Sequence, residues 1–228
     1  HFRDLVQRMK AGGYDYPEDD SADVPDIADA ELIEVFNLAL SIGKEPKYGL
    51  VKYILDSVIF RDDVTPQTRS EIIRKSSDNY SILEPVFDSI AKAMSRDSGT
   101  SDVQVRSFCK KVCSDIGKRK LYVSGHFEAW LYWLIGERRC VGLKKQAVDR
   151  LLQQQDPIVR REILIAIAKI GERADVLPLK TQFTAMAQSE RTAAICATIK
   201  MGKDERRFWR QSTNISDKYE KWAFSLNL

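Results

Sequence analysis

Hydrophobic residues recur along this chain at three- and four-residue intervals, and no stretch alternates with period two, so the pattern predicts helices rather than strands. Leu32, Ile33, Val35, Phe36, Ala39 and Leu40 form one helical stripe ending near Gly43, and Tyr48, Val51, Ile54, Leu55, Val58 and Ile59 form the next. Start signals punctuate the residues beyond Ile59. Thr65-Pro66 reads as a cap followed by proline in the first turn, while Ser81-Ile82-Leu83-Glu84 and Ser101-Asp102-Val103-Gln104 read as capping boxes. After Asp97-Ser98-Gly99 the apolar stripes predict helices near 102–116, 121–136, 141–154, 157–170, 172–187 and 190–201, with two shorter ones after Gly202. Taken as antiparallel pairs, the second helices are centred about 35 residues apart, the spacing of repeats that bury their apolar faces only by stacking on one another.

The segment Leu151 to Gly171 is the sharpest local signal. Asp156 can cap the helix that starts after it, Pro157 presets its first φ, Ala166 and Ala168 allow close packing, and Gly171 ends it. These residues resemble a HEAT repeat, which implies an all-α fold, a HEAT-like α-solenoid of antiparallel helix pairs. On this reading residues 1–27 are an N-terminal helix and acidic linker, 28–98 are N-terminal helical pairs, and 99–228 are HEAT-like repeats with a C-terminal cap. The linker is marked by a Gly-Gly pair, two prolines and clustered aspartates between Ala11 and Pro25. The order of acidic linker, helical pairs and a closing Lys203-Asp204-Glu205-Arg206-Arg207-Phe208-Trp209-Arg210 with Tyr219-Glu220-Lys221-Trp222 resembles the helical region that follows the polymerase domain in some bacterial reverse transcriptases, including those of phage-defence and abortive-infection systems. No Tyr-x-Asp-Asp motif is present, so this resemblance concerns only a C-terminal extension and carries over no polymerase residue. The chain opens on His1 and runs straight into Phe2-Arg3-Asp4-Leu5-Val6, which reads as a piece of a longer protein.

Charge adds an asymmetry that the net value of +3 hides. Residues 1–100 hold 12 Lys and Arg against 19 Asp and Glu, a balance of −7, and residues 101–228 hold 24 against 14, a balance of +10. Aligned turns of a helical stack would gather Lys118, Arg119, Lys120, Arg138, Arg139, Lys144, Lys145, Arg160, Arg161, Arg206 and Arg207 into a positive stripe suited to a phosphate backbone. Partners are therefore a protein or the upstream domain of the same chain, with single-stranded RNA or DNA as the alternative. The apolar run Ile163 to Ala168, like every other in the chain, is far too short to cross a bilayer, and no secretory pattern is present, so no membrane partner and a cytoplasmic location are expected.

Catalytic constellations are sparse. Arg119 and His126 fit the loose Arg-x(4–6)-His spacing of small helical ribonucleases, with the bland alternative that Arg119 lies on a basic loop and His126 in a first helical turn. His126-Phe127-Glu128 has the His-x-Glu of zinc deaminases but lacks a later Pro-Cys-x-x-Cys. A zinc site from Cys109, Cys113, His126 and Cys140 has no established spacing, and the four cysteines read as buried reduced thiols. Trp130, Tyr132 and Trp133 mark the most apolar helix, read as core or a contact with a second domain. No cofactor and no enzymatic activity are expected of this segment.

Overall fold

A computed structural model describes residues 11, 28–41, 48–118, 124–172, 175 and 185–199, with side chains in the last stretch as far as Ile195. Every regular element among them is helical, which establishes an all-α protein; no strand occurs among the described residues. The chain divides into two compact units, His1–Ser101 and Asp102–Leu228.

In the N-terminal unit the helices are α1 (Asp29–Ser41), α2 (Tyr48–Asp56), α3 (Pro66–Asp78) and α4 (Phe87–Arg96). Their apolar stripes meet in a core that includes Leu32, Phe36, Ile54, Leu55, Ile72 and Phe87, all nearly inaccessible to water. Each such side chain contributes roughly 1.5–3 kcal/mol by leaving water. Thr65 caps α3 as its sequence announces: its hydroxyl accepts the Thr68 amide at 3.3 Å, and Pro66 takes the first position. The same Thr65 donates its hydroxyl and its backbone N–H to the Asp29 carboxylate in the first turn of α1. Lys52 of α2 reaches Asp88 (3.0 Å) and Ser89 (3.1 Å) at the start of α4. Both links span about the same length of chain, 36 residues for Asp29 to Thr65 and 36 for Lys52 to Asp88. These links join α1 to the start of α3 and α2 to the start of α4.

Two expected boundaries differ. The second stripe is interrupted: α2 stops at Asp56, and Val58–Phe60 forms a 3-10 turn that keeps Val58 and Ile59 buried. Ser81 caps nothing. The amides of Ile82 and Leu83 instead bond back to the Asn79 carbonyl at 3.1 Å, a 3-10 turn begins only at Glu84, and α4 starts after Val86 with no side-chain cap. Burial of Leu83 and the fixed φ of Pro85 outweigh a bond worth about 1 kcal/mol.

The C-terminal unit contains α5 (Asp102–Gly117), α6 (Gly125–Glu137), α7 (Lys144–Gln153, preceded by a 3-10 turn at Val141–Leu143), α8 (Pro157–Ile170) and α9 (Gln188–Ile199). Helix α6 starts four residues later than its pattern predicts, because Ser124 caps it by accepting the Phe127 amide at 3.2 Å. Helix α8 lies at the centre, packed against α6, α7 and α9. It starts and ends as predicted: Asp156 accepts the amides of Ile158 (2.8 Å) and Val159 (3.5 Å), and the Gly171 amide returns to the Ile167 carbonyl. Asp156→Ala is expected to lower stability by about 1 kcal/mol in urea denaturation; a loss below roughly 0.3 kcal/mol would show the cap to be idle.

Helices α6 and α8 run side by side in the same direction. Near their starts a Cβ at Gly125 would meet the Asp156 carboxylate, and near their ends a Cβ at Gly136 would lie 3.1 Å from Ala166 Cα, so glycine and alanine set the close approach. Arg160 in the first turn of α8 in turn meets Glu190 in the first turn of α9. The three helices start at Gly125, Pro157 and Gln188, 32 and 31 positions apart. Their neighbours run the other way, as Asp102 at the start of α5 meets Arg138 at the end of α6, and Glu128 near the start of α6 meets Arg150 near the end of α7.

Helix α6 ends in a Schellman turn, with the Arg139 amide bonded to the Gly136 carbonyl (3.1 Å) and the Cys140 amide to that of Ile135 (3.0 Å). Arg139, at φ +45°, occupies the left-handed position that glycine usually takes, at a cost of about 1 kcal/mol. The predicted helix at 172–187 lies largely outside the described residues, as do the N-terminal helix, the acidic linker and the helices after Gly202.

Candidate interaction surfaces and an interhelical cleft

Helix α6 is apolar nearly all round, and Phe127, Leu131, Leu134 and Ile135 are fully buried. Glu128 is buried with them, only 3% exposed. Its carboxylate is satisfied by charge-assisted bonds: Arg150 donates Nε to Oε1 at 2.6 Å and Nη2 to Oε2 at 2.9 Å, and Gln154 donates Nε2 to Oε2 at 2.8 Å. This network ties the start of α6 to the end of α7.

Beside it, α5, α6 and α7 leave a cleft of about 390 Å³ whose walls include Cys113, Ser114, Tyr132 and Arg150. Burial, reinforced by the Glu128 charge, pushes the Cys113 thiol up to about 12. Burial likewise pushes the Tyr132 hydroxyl, which shares a hydrogen bond with Cys113, well above the ordinary range. Both shifts favour the protonated forms at neutral pH, so neither group rests there as a thiolate or a phenolate. Cys109 and Cys140 lie against each other. The bond to Cys140 and then burial hold the Cys109 thiol well above its ordinary range, while that same bond, helped by Arg106 and Arg138 against burial, holds Cys140 below its own. Among the described residues no group of three or more His, Cys, Asp or Glu side chains is arranged to hold a metal ion. The Cys196 side chain lies outside them.

His126 is exposed in the first turn of α6, edge-on to Trp130 at 6.2 Å, and Trp130 stands edge-on to Trp133 at 5.0 Å. Both tryptophans are half-buried. Arg119, its expected ribonuclease partner, lies outside the described residues.

The basic residues proposed from sequence occupy two opposite edges of the C-terminal unit. At the edge where α5 and α7 end and α6, α8 and α9 begin lie Lys118, Arg160 and Arg161; at the other edge, where α6 ends and α7 begins, lie Arg138, Arg139, Lys144 and Lys145. A helix of the length of α6 separates the two groups by about 20 Å. Arg119, Lys120, Arg206 and Arg207 lie outside the described residues. Several of the cations are engaged. Arg138 bonds Asp102 at 2.8 Å, Lys144 bonds Glu172 (3.4 Å) and Asp175 (3.2 Å), and Arg161 bonds its neighbour Glu162 at 2.7 Å. Arg160 is only 14% exposed and donates to Glu190 and to the carbonyls of Leu151 (2.7 Å) and Gln154 (3.0 Å). Lys118, Arg139 and Lys145 are exposed and have no carboxylate partner among the described residues.

Sequence reasoning missed the Glu128–Arg150–Gln154 network and the cleft beside it. A lone acid inside the most apolar helix was the available signal, since such a group survives burial only with a partner. Among the described residues no helix is long and apolar enough to cross a membrane. Compared with protein-family models, with curated proteins and with solved structures, the chain matches none.

Proposed function

We propose that this chain is a non-catalytic interaction domain, a HEAT-like α-solenoid of stacked antiparallel helix pairs that presents its helix faces and edges to another macromolecule. The observation that carries this reading is the registration of α6, α8 and α9 at offsets of 32 and 31 residues, with the intervening α7 reversed. Equivalent helices of successive repeats lie side by side in that way when each repeat buries its face only against the next. The protonated Cys113 and Tyr132 of the cleft fit a binding role better than a chemical one. The partner is a protein or an upstream domain of the same chain in the cytoplasm, and the parent we favour is a bacterial reverse transcriptase of the phage-defence type, with this chain as its C-terminal extension.

A second reading, a nucleic-acid accessory domain, is favoured by the exposed Lys118, Arg139 and Lys145. Fluorescence anisotropy with labelled oligo-uridylate and oligo-thymidylate across a salt series tests it. Binding that weakens steeply with salt supports this reading, and each phosphate contact removed is expected to flatten the log-log slope by about one unit. Lys118→Ala, alone and combined with Arg119→Ala and Lys120→Ala, tests the first basic cluster of the sequence, and Arg139→Ala with Lys145→Ala tests the edge where α6 ends, so the more damaging set identifies the track. No binding at about 50 mM salt removes the nucleic-acid reading and leaves the protein scaffold. RNA cleavage or base deamination by the purified chain, abolished by His126→Ala, would overturn the non-catalytic reading.

A further inference from the structure

We propose that the cleft between α5, α6 and α7 is a binding site for a small ligand bearing a terminal oxyanion, a phosphate or a carboxylate. The key group is the Arg150 guanidinium. Glu128 engages it side-on through Nε and Nη2, which leaves Nη1 with no hydrogen bond among the described residues. A guanidinium fork presents five donors in one plane, and fixing one edge of the fork aims the other. Here the fixing group is itself rigid, because Glu128 is 3% exposed and also held by Gln154. The arrangement matches the way a buried carboxylate orients a functional cation at many binding sites.

The remaining walls supply what such a ligand requires. Lys110 brings a second cation, Gln146 and Gln153 bring amide donors, and Ser114 brings a hydroxyl. Arg150 and Glu128 neutralise each other, and Lys110 balances the exposed Asp149, so the cleft recognises an oxyanion through directed N–H and O–H donors rather than through net charge. At about 390 Å³ the cleft falls within the size range of small-molecule sites. The inference is independent of the interaction reading above, since a ligand cleft and a macromolecular surface can coexist on one helical unit.

Amide chemical shifts of the full isotope-labelled chain, titrated at constant ionic strength with inorganic phosphate, acetate and adenosine monophosphate in turn, provide the test. Saturable shifts confined to α5, α6 and α7, with a Kd of roughly 0.1–1 mM for at least one probe, are expected. Equal affinity for phosphate and the nucleotide identifies the free oxyanion as the ligand chemistry, at least tenfold tighter nucleotide binding shows that the body of the ligand is also read, and preference for acetate identifies a carboxylate. Gln146→Trp, at an exposed position of α7, fills the cleft and is expected to abolish binding. The double change Lys110→Ala with Gln153→Ala keeps the test open should the tryptophan disturb the fold, and is expected to weaken binding at least threefold. No saturable shift with any probe up to about 10 mM, or binding unchanged in a folded Gln146→Trp or in the double variant, overturns the proposal.

Discussion

Replacing Arg160 by alanine is expected to lower the stability of the C-terminal unit by about 3–5 kcal/mol, the loss typical of removing one partner of a buried ion pair. Arg160 is 14% exposed and Glu190 5% exposed, so the truncation leaves a desolvated carboxylate behind. The Ala187 amide remains as a donor to it at 2.7 Å. Two further acceptors, the carbonyls of Leu151 and Gln154, lose their donor at the point where α7 turns into α8. Urea denaturation followed by circular dichroism reads the effect as a lower midpoint with little change in slope. Arg161→Ala is the internal control: that side chain is 43% exposed and pairs with an adjacent residue, so its loss should stay within about 1 kcal/mol. Equal effects for the two would show that Arg160 is not a structural staple. The contrast also guards any binding experiment, because weaker ligand binding by an Arg160 variant would report unfolding before it reported contact.

The second large effect is expected at Arg150. Arg150→Ala leaves the 3% exposed Glu128 carboxylate with Gln154 as its remaining donor, and should cost about 3 kcal/mol or more. The reverse truncation, Glu128→Ala, is expected to cost less through charge, since the Arg150 side chain is 32% exposed and its guanidinium can turn to water. A double-mutant cycle over the pair should return a coupling of roughly 1–3 kcal/mol. Additive losses would mean that the bidentate geometry contributes nothing beyond packing. The cycle bears on the ligand cleft as well, because Glu128 is what fixes the orientation of the Arg150 guanidinium.

Local signals made most of the helices legible. Thr65-Pro66 and Asp156-Pro157 each hold their own cap and first-turn proline, so a few adjacent residues decide the start of α3 and α8. Ser81 carried a similar signal and failed, because the burial of Leu83, a tertiary event, is worth more than one cap. The left-handed Arg139 was equally hidden, since nothing in its identity predicts a conformation that glycine ordinarily takes.

The chain's own sequence thus determined that the protein is built of helices, where several of them start and stop, and which faces are apolar, because periodicity and capping act over one or two turns. What the basic residues do was decided elsewhere. Arg150 meets a carboxylate 22 residues away and Arg160 one 30 residues away, while Lys118, Arg139 and Lys145 remain exposed without a carboxylate partner among the described residues. Cationic side chains became either staples or exposed cations according to which helix end was packed beside them. Only the tertiary fold sets that neighbourhood, since the partner of a buried charge is selected by helix direction and offset rather than by any residue next to it in sequence.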